Sequence, residues 1–180
     1  LRKRVTLNSS AGAMMEVNGQ HYINFSGNDY LGMRQSPAVI QAYADGLSYY
    51  GVGSGASPLV TGYTQSHYDL EAYLAEGLGR ERVLLFNSGF AANQAICQAL
   101  GQKSVSILAD KFIHASFIDG ALAADSRFTR FRHNDLSHLS AQLDATEGDS
   151  LVATEGVFSM DGDSAPLTEM ANICADGKAW

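Results

Sequence analysis

The regular alternation, from residue 83 onward, of short apolar runs with segments of helical length constrains the fold most strongly. Strands that alternate with helices in this way form a mostly parallel sheet, with helices covering both of its faces. We therefore predict an α/β fold. The predicted strands span residues 83–86, 105–109, 127–131 and 151–157, and the predicted helices span residues 90–100, 115–123, 136–143 and 167–175.

A small hairpin is predicted ahead of this pattern. Residues 14–17 and 21–25 are β-like runs on either side of Asn18-Gly19, a pair that favours the positive φ angles of a hairpin turn. We expect residues 1–35 to form an N-terminal segment that contains this hairpin. Residues 36–180 are expected to form the first part of a large domain.

Two helices are predicted between the hairpin and the first strand. Ser36-Pro37 is typical of a helix start, and the apolar spacing predicts a helix over residues 37–49. The second helix is predicted over residues 66–78, capped by Ser66. Residues 51–62, rich in glycine, are expected to form a loop. In the first helix, one apolar face is made of Val39, Ile40, Tyr43 and Leu47. In the second helix, we expect an inward apolar face made of Leu70, Tyr73, Leu74 and Leu78.

The turn before the helix at residue 90 has the composition of an anion site. Ser88 can cap this helix, and Gly89 lets an anion approach the backbone N–H groups of Gly89, Phe90 and Ala91. We predict a phosphate here. The alternative is an ordinary Ser-Gly turn that binds nothing.

Further candidate residues follow two other predicted strands. In open α/β sheets ligands bind beyond the carboxyl ends of strands, where this chain places His114, Glu155 and Ser159. His114 suits stacking on a flat ligand or proton transfer, but it is also compatible with a surface histidine. Asp161 and Asp163 are more typical of a solvated acidic turn than of a magnesium site.

Composition excludes several function classes. The net charge of −7, with one basic cluster at residues 2–4, argues against nucleic-acid binding. No apolar run has the length of a membrane span, and we expect a cytoplasmic protein. Cys97 and Cys174 form no CxxC pair and suit reduced packing residues. The histidines show no HExxH spacing, so we predict no metal site.

Several long motifs, in the right order, carry a resemblance to a known family. The chain resembles the α-oxoamine synthases, which are pyridoxal-phosphate enzymes of the aspartate-aminotransferase fold (fold type I). The resemblance implies that fold for the large domain, and pyridoxal phosphate as cofactor. The motifs are NFSGNDYLG, GSGASPLVTGYTQSHYDLE, LLFNSGFAANQA, DKFIHAS, RFRHND and TEGVFSMDGDSAPL.

The resemblance also implies roles for individual residues. Gly89 and Phe90 match the backbone donors to the cofactor phosphate. His114 matches the catalytic-site histidine that stacks on the pyridine ring, and Ser159 matches a hydrogen-bond partner of a cofactor oxygen. Glu155 lies in a matching motif and is expected to support the site near the ring.

The reaction implied by the resemblance is an acyl transfer. L-alanine condenses with a pimeloyl thioester, carried on coenzyme A or on a carrier protein, with loss of carbon dioxide and the thiol. Asn28 and Arg2 match substrate contacts, and a homodimer is implied. Two alternatives stay open: a relative that uses glycine and acetyl-CoA, and a non-catalytic subunit of the same fold.

The family's Schiff-base lysine and the acid that pairs with the pyridinium nitrogen match no residue of this chain. Lys103, Lys111 and Lys178 correspond to no family lysine. The sequence begins with Leu1, and its last residues are typical of entry into another strand. We therefore expect part of a longer enzyme, one that is inactive without the rest.

Overall fold

The computed structural model describes residues 4–177 and 179–180, which form two compact units. The first unit ends at Val83, and the second comprises Leu84–Trp180. The predicted division of the chain at residues 35 and 36 stays a prediction. No helix in the described ranges is both long enough and apolar enough to cross a bilayer.

The first unit contains the predicted hairpin as part of a three-stranded antiparallel sheet. Its strands are β1 (Ser9–Ala11), β2 (Met14–Val17) and β3 (Gln20–Ile23), and β2 pairs with both others. Asn18 and Gly19 have φ angles of 52° and 75°, which confirms the predicted turn. The sequence did not predict β1.

Two helices complete the first unit, α1 (Pro37–Tyr50) and α2 (Gln65–Leu78), and a short π-helical turn, Pro58–Gly62, lies in the predicted loop. Ser66 as the cap of α2 was wrong. Thr64 caps this helix instead: its hydroxyl accepts from the His67 N–H, and the His67 ring accepts from the Thr64 N–H. The pair forms a capping box two residues earlier than the sequence indicated.

The apolar faces of both predicted helices are largely exposed in the described chain, including that of α2, which was expected to point inward. Tyr43 of α1 is 72% exposed and Tyr73 of α2 is 75% exposed, and Ala75 is the buried apolar side chain of α2. Both buried core clusters of the described residues lie in the second unit. The helical periodicity was therefore right, but it does not identify what covers the apolar face.

The second unit is the predicted α/β layer structure. Its elements are α3 (Gly89–Leu100), β4 (Val105–Asp110), α4 (Ala115–Ala123), β5 (Arg127–Phe131), α5 (Leu136–Asp144), β6 (Asp149–Ala153) and α6 (Leu167–Asp176). The strands are parallel in the order β5-β4-β6. Ala179 bridges to Ser150 of β6, and the Trp180 carbonyl accepts from the Val152 N–H at 2.7 Å, so the predicted strand entry is confirmed.

Helices cover both faces of this sheet. Ile107 and Leu108 are successive residues of β4 and therefore point to opposite faces. Ile107 packs in one cluster with Cys97 of α3 and Phe117 of α4, whereas Leu108 packs in another with Leu139 of α5. Cys97 is fully buried, and its burial raises the pKa of its thiol, as expected of a packing cysteine.

The predicted strand at residues 83–86 was wrong. These residues have no regular secondary structure in the described chain, and Leu84 is 79% exposed. A strand exists only where a neighbouring strand satisfies its backbone groups, and no described strand pairs with these residues. The last predicted strand also ends early, at Ala153, so residues 154–157 form a loop.

Candidate functional site

The N-terminus of α3 presents backbone N–H groups that can donate hydrogen bonds to a ligand. The Ser88 hydroxyl accepts from the Ala91 N–H at 3.1 Å, which confirms the predicted cap. The first N–H groups of a helix have no partner within the helix, and this leaves those of Gly89 and Phe90. A Cβ built on Gly89 meets no described atom within 4 Å, so an anion has room to approach.

A chain of hydrogen bonds connects α3 with His114. The Asn93 side-chain amide donates to the Ser116 hydroxyl at 2.8 Å, and that hydroxyl lies 2.7 Å from His114 Nδ1. Ser116 is buried, with 2% of its surface exposed. The predicted anion site and the predicted stacking residue are therefore tied together by side chains from two helices.

These contacts also fix the proton of the His114 ring. The Ser116 backbone N–H donates to His114 Nδ1 at 3.2 Å. A backbone N–H can only donate, so Nδ1 is the acceptor and the neutral ring carries its proton on Nε2. The ring itself is exposed at the start of α4, where a flat ligand can stack on it.

Glu155 and Ser159 both lie in the loop that follows β6. The His114 N–H donates to Glu155 Oε1, so the structure brings these two predicted residues into contact. Ser159 is exposed and borders a cavity of about 290 Å³ that Phe112 and Phe158 also line. Phe112 precedes His114 by two residues, which places the Ser159 cavity beside the loop that leads to His114.

Asn28, one of the two predicted substrate contacts, belongs to the first unit. Asn28 lines a cavity of about 560 Å³ together with Asp29 and Arg34, and its side-chain oxygen accepts from the Tyr30 hydroxyl at 3.4 Å. Arg2 lies outside the described residues.

The sequence did not predict a cluster of hydrogen-bonded side chains around His133. The His133 ring lies between two carboxylates, with Nδ1 2.9 Å from Asp110 Oδ1 and Nε2 2.8 Å from Asp163 Oδ2. Asp163 is therefore a hydrogen-bond partner and not simply part of a solvated turn. The sequence feature that could have indicated this cluster is Asp110, a carboxylate that directly follows an apolar run. The structure shows that Asp110 is fully buried.

Lys103 and Lys111, which match no lysine of the family, contact side chains of the second unit. Lys103 is exposed and lies 3.8 Å from Asp125, and Lys111 lies 5.9 Å from the centre of the Phe112 ring. Lys178 lies outside the described residues. Among the residues that the structure describes, no group of three or more His, Cys, Asp or Glu side chains could hold a metal ion.

Comparison with protein families and curated proteins gives consistent matches. The model of the family "Aminotransferase class I and II" matches residues 20–180. An 8-amino-7-oxononanoate synthase of Pseudescherichia vulneris is 51% identical over all of this chain and 47% of its own length. A protein of the same name from Vibrio campbellii is 48% identical over 93% of this chain and 44% of its own length. The chain thus spans about half the length of the curated relatives it matches.

Solved structures match as well. A serine palmitoyltransferase of Sphingomonas wittichii is 33% identical with a TM-score of 0.93, over 97% of this chain and 45% of that chain. The serine palmitoyltransferase of S. paucimobilis with bound PLP–myriocin aldimine is 30% identical with a TM-score of 0.93, over 98% and 45% of the two chains. The 8-amino-7-oxononanoate synthase of Francisella tularensis is 36% identical with a TM-score of 0.71, over 83% and 41%.

Proposed function

Because this chain belongs to the class I and II aminotransferase family, we propose that it forms part of a pyridoxal-phosphate-dependent 8-amino-7-oxononanoate synthase. The whole protein condenses L-alanine with a pimeloyl thioester, on coenzyme A or a carrier protein, and releases carbon dioxide and the free thiol. This is an acyl transfer of biotin biosynthesis. The observation that carries the proposal is the 51% identity with a curated relative of that name over the whole chain.

The residues present fit the phosphate end of this cofactor. The N–H groups of Gly89 and Phe90 are free to donate to the phosphate, and the helix dipole of α3 favours its negative charge. The open space over Gly89 admits the group without a clash with the described residues. We propose these two residues as the phosphate donors.

The remaining residues would hold and orient the ring of the cofactor. Bound pyridoxal phosphate supplies an electron-withdrawing ring that stabilises a carbanion at the amino-acid Cα. The exposed His114 imidazole can stack on that ring, with its orientation set by Ser116. Glu155 holds the His114 backbone, and the Ser159 hydroxyl can donate to a cofactor oxygen. Asn28 is proposed as a substrate contact.

The comparisons favour this activity over that of the serine palmitoyltransferases. Those neighbours are 30% and 33% identical to this chain, whereas the curated 8-amino-7-oxononanoate synthases reach 48% and 51%. A shared fold does not by itself assign a function, so the higher identity over the whole chain supports the 8-amino-7-oxononanoate synthase proposal. We also propose that Arg2 contacts substrate and that the protein is a cytoplasmic homodimer.

A thiol-release assay on the full-length protein tests the activity. With pyridoxal phosphate present, we expect turnover with L-alanine and pimeloyl-CoA. The controls are glycine with acetyl-CoA and L-serine with palmitoyl-CoA, for which we expect little release. Turnover with one of these control pairs alone would overturn the substrate assignment, and no turnover with any pair would overturn the enzyme assignment.

A further inference from the structure

His133 is held on both of its ring nitrogens by carboxylates from different parts of the second unit. Asp110 lies at the carboxyl end of β4, and Asp163 lies in the loop between β6 and α6. The neighbouring Asn134 adds to both contacts. Its backbone N–H donates to Asp110 Oδ2 at 2.9 Å, and its side-chain amide donates to Asp163 Oδ2 at 3.0 Å. Residues 133 and 134 therefore link the carboxyl end of β4 with the loop between β6 and α6.

Two aromatic rings pack against the His133 ring. The Phe112 ring stacks on His133, with ring centres 4.4 Å apart and planes 29° apart. The Phe158 ring meets it edge-on, with centres 4.5 Å apart and planes at 86°. These two phenylalanines also line the cavity beside Ser159. The position of the imidazole thus sets the wall of that cavity.

The contacts of His133 lie next to the proposed cofactor residues along the chain. Phe112 precedes His114 by two residues, and Phe158 directly precedes Ser159. The Phe158 N–H donates to the Asp163 carbonyl at 2.9 Å, so Phe158 and Asp163 close one loop around Ser159. His133 contacts both ends of this loop, as well as the segment that leads to His114.

The surroundings favour the doubly protonated ring. Both ring nitrogens face carboxylate oxygens, which can only accept when ionised. The charged groups that face His133 in the described residues are Asp110 from β4 and Asp163 from the loop after β6. The other contacts are the uncharged Phe112, Phe158 and Asn134. The hydrogen bond to Asp110, followed by that to Asp163, raises the pKa of His133 above its ordinary value, against an opposing effect of burial.

We propose that His133 is a positioning residue of the cofactor site: as an imidazolium between Asp110 and Asp163, it holds Phe112 and Phe158 and so fixes the loops that carry His114 and Ser159. The inference rests on the proposed function, because it assigns these loops to pyridoxal phosphate. His133 does not itself touch the cofactor in this account. Its effect on binding is transmitted through the two phenylalanines.

His133→Gln in the full-length protein tests this role. Glutamine retains a polar side chain. Its single amide nitrogen, however, cannot reproduce the two separate ring nitrogens that contact Asp110 and Asp163. We expect pyridoxal phosphate to bind about tenfold more weakly, as is typical when an outer partner of a ligand-holding residue is lost. We also expect an altered visible circular dichroism of the bound cofactor at saturation, which a loss of stability alone does not produce.

His138→Gln is the matched control. His138 lies in α5, and its Nδ1 accepts from the Arg132 N–H at 2.9 Å, so the change also removes a hydrogen bond near the end of β5. Within the part of the chain that the structure describes, no hydrogen bond or ring contact joins His138 to Phe112 or Phe158. We expect wild-type cofactor affinity and circular dichroism for this variant.

The outcomes separate the inference from the proposed function. Equal affinity and equal circular dichroism in wild type and His133→Gln would overturn the positioning role, as would equal effects of His133→Gln and His138→Gln. If His133→Gln does not fold, Asp163→Asn replaces it, because this change removes the charge of the half-exposed carboxylate partner of His133. Unchanged cofactor affinity and circular dichroism in Asp163→Asn would then overturn the positioning role. If the wild-type protein itself does not bind pyridoxal phosphate, the proposed function fails and the inference fails with it.

Discussion

At the scale of single residues, the two histidines of the site differ in the partners of their ring nitrogens. His114 Nδ1 accepts from a backbone N–H, and the residue is exposed, so a flat ligand can stack on it. Both nitrogens of His133 face carboxylates, which favours the charged form of its ring. We therefore propose a ligand-facing role for His114 and a positioning role for His133.

The raised pKa of His133 predicts a pH-dependent stability. A base whose pKa is higher in the folded protein stabilises the fold below its ordinary pKa of 6.5, and this contribution is lost as pH rises through the folded-state pKa. We expect the Tm advantage of the wild type over His133→Gln to be largest below pH 6.5 and to shrink as the pH rises above it. Thermal unfolding of both full-length proteins at pH values below and above 6.5 measures it. A constant difference would contradict the assigned charge.

At the scale of elements, the site depends on how closely α3 approaches α4. Gly120 of α4 lies directly against α3, where a Cβ would be 2.9 Å from Gln94 Cα and 3.1 Å from the Asn93 carbonyl oxygen. This contact lies beside the Asn93–Ser116 hydrogen bond that ties the predicted phosphate donors to His114. The absence of a side chain at Gly120 therefore serves the site as well as the core.

Gly120→Ala tests this packing. We expect a destabilisation of roughly 1–3 kcal/mol, because the methyl group would push backbone atoms of the two helices apart. We also expect weaker pyridoxal phosphate binding. Urea unfolding of the full-length protein and a cofactor titration measure the two effects.

Gly77→Ala is the matched control for this substitution. Gly77 lies in α2, and a Cβ there meets no described atom within 4 Å. Alanine in a helix interior is expected to stabilise by about 0.5–1 kcal/mol relative to glycine. Effects of the same sign and size at both positions would show that helix propensity, and not the approach of α3 to α4, decides the result.

At the scale of the whole molecule, the chain exposes many large apolar side chains. Tyr43 and Tyr73 on the helix faces of the first unit are more than 70% exposed, as are Val52, Leu59 and Leu84. Exposed apolar surface on this scale is typical of regions that another part of a protein or another subunit covers. This observation supports the proposal that the active enzyme is larger than the chain and dimeric.

We expect the 180-residue chain to bind a hydrophobic dye such as anilinonaphthalene sulfonate much more strongly than the full-length protein does. The physical reason is that the additional chain and the second subunit would cover these side chains. Dye fluorescence at equal mass concentration, with circular dichroism to confirm comparable helix content, measures the difference. Equal fluorescence would contradict the assignment of these faces to buried contacts.

Local residue patterns were sufficient to predict most of the helices and strands and the α/β class. The helices and strands of residues 89–176 follow from apolar spacing, caps and turns, which act over a few residues, and the Ser88 cap and the Asn18-Gly19 turn were predicted for the same reason. The quoted motifs also predicted the family. Where the prediction depended on a neighbour it was less reliable, as at residues 83–86, because a strand requires a partner.

Contacts between side chains that are far apart in the sequence could not be predicted from the residue pattern. His133 lies 23 residues from Asp110 and 30 residues from Asp163, and the structure joins all three by placing β4, β5 and β6 side by side in a parallel sheet. The Asn93–Ser116 contact likewise depends on the packing of α3 against α4. Contacts of this kind leave no periodic pattern in a single sequence, because their geometry is set by the arrangement of elements that are far apart along the chain.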